Sequence, residues 1–494
     1  MKVTSLIYFA ASFLAALIYR RLPRKWGNLW LLTLSIGFVV TWSWQFVILL
    51  AAFTCVNYWL ARRVDASQNA RGRWTTGGIF FNVAFLFLLK YNHFYLPAIH
   101  KMMLNLGLTS SESLVPILVP IGLSFLAVQA ISTLLDIKNR RVAAERDFLR
   151  FSVYIFYYPK LLSGPIERMR LFLPRLDSPL PLDRSLLERS TALLLIGLFR
   201  KIAIADPLFN MIPAEAFINP LNYPGQDLVF WLLAYSFALY NDFAGYTSII
   251  RGVSLWFGIE LTNNFNLPYL SRNFTEFWTR WHISLSQWLR DYIFFPSARY
   301  LMKHFTPREH WVNILLPPIL TMLVSGMWHG LTWNLLLWGG MHGTYLVVER
   351  VFSLRKNAVP MNELPMWRQG LSTVITFVLA ALAWVPFRMP VGTAVQYWQG
   401  MLHWVTPDFT ALKLMLQNKL PSGVWSQVYL PSPLLLAVLV IAVIFDIQQS
   451  RGQREEFILD WSRLQIILFV VFLGFITLLA ALSDHIIPFV YQGF

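Results

Sequence analysis

Two histidines in strongly aromatic segments are the residues whose type and surroundings best suit a catalytic role. His282 follows Trp281, and His329 lies between Trp328 and Gly330 inside a long hydrophobic stretch. A polar side chain in such surroundings is costly unless its hydrogen-bonding groups are satisfied, so each histidine is a candidate functional residue. The alternative for each is a core histidine bonded to a backbone carbonyl, and the residues alone leave that alternative open.

A membrane-buried neutral imidazole is suited to proton transfer. Histidine has an unperturbed pKa of about 6.5, so its neutral form is the usual general base near neutral pH. Such a base could take a proton from a hydroxyl group while the hydroxyl oxygen attacks an acyl group. The same residue would also suit a proton relay in a transporter, so residue type does not choose between the two.

The first histidine falls in a segment with the period of an amphipathic helix. Residues 276–291 are predicted to form one helix with His282 on its aromatic face, while Glu276 and Gln287 lie elsewhere on the helical wheel. The aromatic face repeats at steps of three and four residues and consists of Trp278, Trp281, His282, Leu285, Trp288 and Leu289.

The composition places these segments in a membrane. Of the 494 residues, 56% are hydrophobic and only 13% are charged, whereas soluble domains carry roughly 25% charged residues. The chain is therefore predicted to be a polytopic membrane protein. Its formal charge of +16 comes from short Lys and Arg clusters between apolar runs, which indicates membrane topology rather than nucleic-acid binding. The single cysteine, Cys55, excludes an internal disulfide and a thiol metal site.

Apolar runs between the basic clusters predict the topology. Residues 4–19 are predicted to be a retained helix that starts outside the cytoplasm, because the basic cluster follows the run. Residues 27–61 exceed one span of about 20 residues and predict a hairpin that bends at 41–44. Residues 151–166 are short and interrupted by prolines, which predicts a re-entrant piece. Residues 388–431 are predicted to be an extracytoplasmic loop.

Other chemistries lack their sequence signatures. The chain has no phosphate-binding loop, no H-E-x-x-H zinc motif and no G-x-S-x-G nucleophile motif. His282, His329 and His342 do not have the spacing of metal ligands, and a continuous helix would separate His329 from His342 by about 20 Å. No metal site is therefore expected. No internal repeat is evident in the sequence, which weakens the transporter alternative.

The surroundings of both histidines resemble a known family. The run NFNLPYLSRNFTEFWTRWHISLSQWLRDYIFFP, followed by SGMWHGLTWNLLLWGGMHG, resembles the signature of the membrane-bound O-acyltransferase family, most of all its bacterial alginate O-acetyltransferase-like branch. The likeness extends from about residue 80 to residue 402. Its supporting segments are VPIGLSFLAVQAISTLLDI (119–137), YYPKLLSGPIER (157–168), NDFAGYTSI (241–249) and ALAWVPFRMPVGTAVQYWQGML (381–402).

The resemblance implies a catalytic centre, a fold and a reaction. His329 matches the family's catalytic histidine, and His282 matches its second invariant histidine, which would position substrate or support the first. The implied fold is a ring of tilted transmembrane helices with re-entrant segments, in which two opposed funnels meet near the catalytic histidine. The implied donor is an acyl thioester, here acetyl-CoA, with no bound cofactor. The acceptor would be a hydroxyl group of a partner protein or of an exported polysaccharide.

Two departures from this branch bear on the acceptor. After RDYIFFP the branch commonly has a Gly-Gly-Asn-Arg turn, where this chain has SARYLMKHFTPREHW. The pattern D-F-S-G-Y-S-D loses its second acid, because Ser248 occupies that position. Neither departure touches the histidine core. Loops and funnel walls are where acceptor choice should lie, so the identity of the polysaccharide stays open.

Several residues near the histidines are candidate substrate contacts. The indole N–H groups of Trp328 or Trp333 could steady a developing oxyanion. Arg280 and Arg290 are candidates for contacting donor phosphates, although anchoring at the membrane interface also explains them. Asp242 is explained equally well as a structural partner of an arginine. The candidate substrate-binding residues are Trp328, Trp333, Asp291, Arg280 and Asp242.

The predicted architecture is an all-α polytopic integral membrane protein with three regions. Residues 1–75 are N-terminal transmembrane helices, 76–405 form the catalytic core, and 406–494 contain the extracytoplasmic loop and the C-terminal transmembrane helices. The expected location is the bacterial cytoplasmic (inner) membrane, with the basic loops inside.

The predicted function is O-acetylation of an exported or cell-envelope polysaccharide such as alginate, with His329 as general base. The expected partners are the thioester donor, a periplasmic or membrane-anchored acetyltransferase partner protein, the polysaccharide and membrane lipid, but no nucleic acid. A D-alanyl transferase for teichoic acid shares the two-histidine core and is one alternative, although the long C-terminal part favours the acetyl branch. A proton-coupled transporter is the other alternative.

Overall fold

Every regular element in the described part of the chain is helical. The computed structural model describes residues 3–106, 122–307, 310–354, 363–404 and 433–482, and no β-strand occurs within these ranges. The α-helices, numbered in chain order, are α1 (Leu6–Arg21), α2 (Arg24–Val40), α3 (Trp44–Ala66), α4 (Arg71–Lys90), α5 (Asn92–Asn105), α6 (Leu123–Lys138), α7 (Phe148–Phe156), α8 (Tyr158–Leu161), α9 (Met169–Asp177), α10 (Arg184–Leu198), α11 (Asp206–Asn210), α12 (Gly225–Trp256), α13 (Phe274–Arg280), α14 (Ile283–Leu289), α15 (Phe295–His304), α16 (Trp311–His329), α17 (Trp333–Ser353), α18 (Met366–Arg388), α19 (Val391–Gly400), α20 (Pro433–Gly452) and α21 (Arg463–Leu482).

Five of the described helices, α3, α4, α16, α18 and α20, are long and apolar enough to cross a membrane. Large apolar side chains on them, such as Ile48, Phe80 and Val440, are exposed. Helices suit a membrane because each satisfies its own backbone hydrogen bonds, and outward apolar side chains suit contact with lipid tails. These helices confirm the predicted all-α polytopic membrane protein.

The N-terminal hairpin has the predicted form. α2 ends at Val40 and α3 begins at Trp44, and the Ser43 side chain accepts a hydrogen bond from the Gln45 backbone N–H to start the second helix. The predicted bend at 41–44 is therefore confirmed.

The segment 151–166 is short and broken, as its prolines predicted. α7 and α8 are separated by Tyr157, whose ψ of 105° lies outside the helical region, two residues before Pro159. Whether this segment re-enters the membrane stays a prediction.

The predicted loop 388–431 contains a helix, and to that extent the loop prediction is wrong. Residues 391–400 form α19, whose buried residues Ala394, Tyr397 and Gly400 recur at steps of three. The Tyr397 hydroxyl donates to the backbone carbonyl of Leu228 (2.8 Å). The prolines and the few charged residues of 388–431 are typical of a loop, and they do not indicate the short stripe of buried residues on α19. Residues 405–431 lie outside the described ranges.

The described residues pack as two compact units. One comprises residues from Met1–Leu194 and Ile250–Thr262, and the other comprises residues from Leu195–Ile249 and Asn263–Val490. Both candidate catalytic histidines belong to the second unit. The predicted functional division at residues 75 and 405 stays a prediction.

Three glycines let α16 and α17 approach closely as an antiparallel pair. A Cβ atom on Gly339 would lie 2.4 Å from the backbone oxygen of Met322, and one on Gly326 would lie 2.3 Å from that of Leu335. A Cβ atom on Gly343 would also meet the α16 backbone, at 2.9 Å. Small residues of this kind allow helix backbones to pack closely in membranes. This helix pair carries His329 and His342.

Candidate active site

His282 lies at a break between two short helices, so the predicted continuous helix over 276–291 is wrong. Its φ of 41° is left-handed, and α14 begins at the next residue. The N–H of Ile283 donates to the backbone carbonyl of Asn264 (2.9 Å). Ser284 donates to Asn264 Oδ1 through its N–H (3.2 Å) and its hydroxyl (2.7 Å). Asn264 thereby satisfies the N–H groups that would bond to α13 in a continuous helix.

The imidazole of His282 is enclosed by aromatic rings. The residue is 1% exposed. Its ring centroid lies 4.9 Å from that of Phe243 on α12 and 5.9 Å from that of Trp328 on α16, both in edge-to-face arrangements. The break between α13 and α14 thus places His282 beside the residue that precedes His329 in the sequence.

His329 is the last residue of α16 and is also buried, with 6% of its surface exposed. Its ring lies edge-to-face against three aromatic side chains, with centroid distances of 4.8 Å to Trp328, 5.0 Å to Phe387 and 5.2 Å to Trp338. Such an apolar enclosure separates most of the imidazole from bulk water.

A third histidine, His342, joins the same row of rings. The ring centroid of Trp338 lies 5.2 Å from that of His329 and 5.1 Å from that of His342. The ring centroid of Trp328 lies 5.9 Å from that of His282 and 4.8 Å from that of His329. The 20 Å separation of a continuous helix therefore does not apply to His329 and His342, because the chain turns back at residues 330–332. Indole rings alternate with the three imidazoles.

The two tryptophans predicted to steady an oxyanion have different surroundings. Trp328 contacts both His282 and His329. Trp333 is the first residue of α17 and is 80% exposed. Of the two, only Trp328 has a described ring contact with either catalytic candidate.

Arg280 pairs with a carboxylate of its own helix. Its guanidinium lies 2.6 Å from Glu276 Oε1, and Arg272 Nε lies 3.3 Å from the other oxygen of the same carboxylate. Burial raises the pKa of Glu276, but the hydrogen bond from the Arg272 backbone N–H and the charge of Arg280 outweigh burial and hold that pKa below its ordinary value. Glu276 is therefore ionised near neutral pH and orients both arginines.

Asp291 lies in the π-helix Arg290–Phe294 that continues α14, and it pairs with the neighbouring Arg290 at 3.4 Å. A π-helix is a local widening that is frequent at functional sites. Only one short helix, α14, separates this π-helix from the break at His282.

The carboxylate of Asp242 pairs with a lysine. Lys201 Nζ lies 2.7 Å from Asp242 and 2.8 Å from Asp206, and all three side chains are buried. Asp242 also directly precedes Phe243, the ring that contacts His282. This ion cluster supports the helix behind His282.

Glu455 is a residue that the sequence patterns did not single out. The hydroxyl of Ser248 donates to Glu455 Oε1 (2.6 Å). Ser248 occupies the position at which the branch pattern has its second acid, so a carboxylate from the segment after α20 lies beside that position. Only the folded chain reveals this, because the two residues are 207 positions apart.

A cavity of about 400 Å³ opens within the second unit and was also missed by the sequence analysis. Its walls come from α13, α14, the π-helix, α16 and α17. Trp278 and Met322 provide apolar lining, whereas Arg290, Glu349 and Arg350 provide charged groups. Side chains from four α-helices and the π-helix form this cavity, so no single sequence motif could signal it.

Comparison with known proteins decides the class of the chain. The sequence profile of the membrane-bound O-acyltransferase family matches residues 93–383, which is more than half of the chain and includes all three histidines. The chain belongs to the membrane-bound O-acyltransferase family. This confirms the resemblance carried by the two histidine motifs, and it makes the chain an O-acyltransferase enzyme rather than a transporter.

Relatives of this membrane-bound O-acyltransferase include enzymes of three kinds. It is 34% identical over 376 residues to the probable alginate O-acetylase of Azotobacter vinelandii, which covers 75% of this chain and 71% of the relative. It is 28% identical over 506 aligned positions to the peptidoglycan O-acetyltransferase of Helicobacter pylori, covering 92% of this chain and 89% of the relative. It is 30% identical over 290 residues to the teichoic acid D-alanyltransferase of Streptococcus thermophilus, covering 54% of this chain and 68% of the relative.

Proposed function

We propose that this O-acyltransferase transfers an acetyl group from a cytoplasmic thioester, acetyl-CoA, to an exported or cell-envelope polysaccharide such as alginate. In this proposal the acetyl group crosses the bacterial cytoplasmic (inner) membrane through the enzyme. A periplasmic or membrane-anchored partner protein receives it or presents the polysaccharide hydroxyl.

The observation that carries the proposal is the setting of His329. Its imidazole ends a membrane-length helix and is enclosed by Trp328, Trp338 and Phe387. A neutral imidazole in such a place is a general base that water does not compete with.

The proposed reaction moves one proton twice. His329 accepts the proton of the acceptor hydroxyl while the hydroxyl oxygen attacks the thioester carbonyl carbon. The tetrahedral intermediate then collapses, the carbon–sulfur bond breaks, and the departing sulfur takes the proton back from the imidazolium. The products are an acetate ester and a free thiol, and His329 is neutral again.

The oxyanion of that intermediate needs a hydrogen-bond donor. Trp328 is the better placed of the two tryptophan candidates, because its ring adjoins His329 whereas Trp333 is exposed. A single donor of this kind typically contributes roughly 100- to 1000-fold to the rate. His282 contacts the same indole ring, so we assign it the role of holding Trp328 in place.

The shares of the chain covered by its relatives favour acetyl transfer over D-alanyl transfer. The peptidoglycan O-acetyltransferase aligns with 92% of this chain, whereas the teichoic acid D-alanyltransferase aligns with 54%. Both the alginate and the peptidoglycan enzymes are named for acetylating a cell-surface glycan. D-alanyl transfer to teichoic acid remains the second candidate, because that relative matches part of the chain at similar identity.

The test measures ester-linked acetate and ester-linked D-alanine on envelope and secreted glycans. Three strains are compared: a deletion, the deletion with the wild-type gene restored, and the deletion with a normally expressed His329→Ala variant. We expect acetate to disappear in the deletion, to return with the wild type, and to stay absent with the variant. Full restoration of acetate by His329→Ala would refute the catalytic assignment. A change in D-alanine with constant acetate would establish the second candidate instead.

A further inference from the structure

An apolar groove of about 450 Å³ lies beside α18 and α20, apart from the cavity described above. Its inner wall includes Phe237 and Tyr269, whereas Val374, Val440 and Ile444 line its rim and are each more than half exposed. Both α18 and α20 are long and apolar enough to cross a membrane. This α18–α20 groove therefore opens towards lipid tails.

The α18–α20 groove offers little to a polar ligand. Among its described lining residues only Asp446 is charged, and that carboxylate pairs with Arg200 at 2.8 Å. The Tyr269 hydroxyl donates to the backbone carbonyl of Ser236 (2.7 Å) and accepts from Nε1 of Trp384 (3.2 Å). Water in the groove would find few partners, so the occupant that suits its walls is a hydrocarbon chain.

The size of the groove distinguishes a lipid chain from a partner helix. A helix with its side chains is about 10 Å wide, so two turns of it would need roughly 850 Å³. The α18–α20 groove has about 450 Å³. A single acyl chain is much narrower than a helix, and acyl chains surround α18 and α20 in a membrane.

The direction of α18 follows from its neighbours along α12. The ring of Phe237 on α12 contacts that of Phe377 in the middle of α18, with a centroid distance of 5.7 Å. Nearer the start of α12, the backbone carbonyl of Leu228 accepts a hydrogen bond from Tyr397 on α19 (2.8 Å). Only two residues separate α18 from α19. α18 therefore runs antiparallel to α12.

α20 runs in the same direction as α12. Arg200 bonds to both Asn241 on α12 and Asp446 on α20. Further along α12, the hydroxyl of Ser248 donates to Glu455, which follows the end of α20. The first turn of α18 and the last turn of α20 consequently lie at the same end of the α18–α20 groove.

That end carries residues typical of a membrane interface. Trp367 in the first turn of α18 is 65% exposed, and the guanidinium of the exposed Arg368 lies over its ring at 5.1 Å. Arg451 is exposed in the last turn of α20. Each arginine lies five residues, about 8 Å, beyond the nearest lining residue of its own helix. Tryptophan and arginine at this level suit lipid headgroups.

We propose that the α18–α20 groove binds an anionic membrane phospholipid, with one acyl chain along the groove and the phosphate at Arg368 and Arg451. The walls give the chain no hydrophobic gain over bulk lipid, because lipid tails are as apolar as the side chains. Preference for this site must therefore come from the two cations, which select an anionic headgroup. Phospholipid binding here is additional to acyl transfer and does not depend on it.

Two measurements on the purified full-length protein test this site. Native mass spectrometry of the delipidated protein compares dioleoyl phosphatidylglycerol with dioleoyl phosphatidylcholine, which has the same acyl chains and no net charge. In the second measurement, the protein is reconstituted in dioleoyl phosphatidylcholine vesicles that contain a phosphatidylglycerol with a diazirine in one acyl chain. After photolysis, the labelled residues are mapped.

The variants alter the two ends of the site separately. Val440→Trp fills the α18–α20 groove, and Arg368→Gln combined with Arg451→Gln removes the cations. The matched controls are Val378→Trp, at an exposed position of α18 outside the lining, and Arg299→Gln, at an exposed position of α15. Thermal unfolding shows whether each variant is folded. The arginine variant changes only exposed residues, so it keeps the test available if Val440→Trp does not fold.

We expect phosphatidylglycerol to bind at least about tenfold more tightly than phosphatidylcholine, because each basic residue near an anionic headgroup contributes roughly fivefold. The double arginine variant should lose that preference. Val440→Trp should reduce labelling of α18 and α20 at least about fivefold, because the indole occupies the space of the chain. Both controls should behave as the wild type does.

Equal affinity for the two lipids overturns the proposal, as does a double arginine variant that keeps the wild-type preference. Labelling spread evenly over α18, α20 and the exposed apolar residues of α21 shows only the general lipid shell and also overturns it. Unchanged labelling in a folded Val440→Trp variant has the same meaning. None of these outcomes bears on acyl transfer, which glycan acetate tests separately.

Discussion

At the scale of the residue, His282 combines a backbone requirement with a side-chain requirement. Its φ of 41° lies in the left-handed region, which non-glycine residues adopt at a cost and which asparagine tolerates better than most. The ring meanwhile touches Phe243 and Trp328. A substitution can therefore remove the ring contacts of His282 and keep its left-handed backbone conformation.

We expect His282→Asn to keep nearly the wild-type melting temperature and to lose activity, because the backbone turn survives and the contact with Trp328 does not. His282→Val should lose activity and also unfold more readily, by roughly 1–2 kcal/mol, because a β-branched residue resists the left-handed region. Thermal unfolding in detergent and acyl-transfer rates of the two variants provide the measurement. Wild-type activity in His282→Asn would show that only the turn matters.

The sequence indicated which residues are candidates for catalysis better than it indicated their backbone conformation. The aromatic and histidine pattern singled out His282 and His329, and both prove to be buried beside Trp328. The break at His282 depends on Asn264, which lies 20 residues before Ser284 and acts through hydrogen bonds. Helical periodicity contains no such information, so the period of 276–291 predicted an unbroken helix.

At the scale of the element, the pair α16 and α17 positions the chemistry. The pair brings His329 and His342 into contact with Trp338. The close approach of the two helices depends on glycines at their interface. Gly339 and Gly340 are neighbours on α17 with opposite surroundings. A Cβ atom on Gly339 would meet the Met322 backbone oxygen at 2.4 Å, whereas one on Gly340 would meet nothing within 4 Å.

We expect Gly339→Ala to destabilise the protein by about 1–3 kcal/mol, because the added methyl group forces the two helices apart. Activity should fall with it, since separation of the helices moves Trp338 away from His329. Gly340→Ala is the matched control and should be neutral or slightly stabilising, by up to about 1 kcal/mol, because alanine favours the helix. Equal melting temperatures for the two variants would contradict the packing described for this pair.

At the scale of the whole molecule, a buried ion pair attaches α20, the first of the two described α-helices after residue 432, within the second unit. Arg200 lies 2.8 Å from Asp446 and donates to Gln449 (2.7 Å), both on α20, and it also donates to Asn241 on α12 (2.6 Å). Its guanidinium lies over the Tyr240 ring at 5.0 Å. The sequence predicted the C-terminal helices from their apolar length, but it could not predict this pairing across 246 positions.

We expect Arg200→Met to lower the free energy of unfolding by about 3–5 kcal/mol, because it leaves a buried carboxylate without its cation. Adding Asp446→Leu to Arg200→Met should recover much of the loss, since no uncompensated charge then remains. The exposed pair of Arg454 with Asp460 is the control, and Arg454→Met should change stability by less than about 1 kcal/mol. Additive effects of Arg200→Met and Asp446→Leu would contradict the pairing.

The central claim, that the His329 imidazole is the base of an acetyl transfer, has one most direct test. Purified wild-type enzyme and His329→Gln are reconstituted in lipid with labelled acetyl-CoA and a polysaccharide acceptor, and the label in alkali-labile ester is measured over time. We predict a loss of at least about 100-fold in kcat for His329→Gln with an unchanged melting temperature. A folded His329→Gln variant that transfers acetate within about tenfold of the wild-type rate would contradict the claim, since a general base contributes more than that.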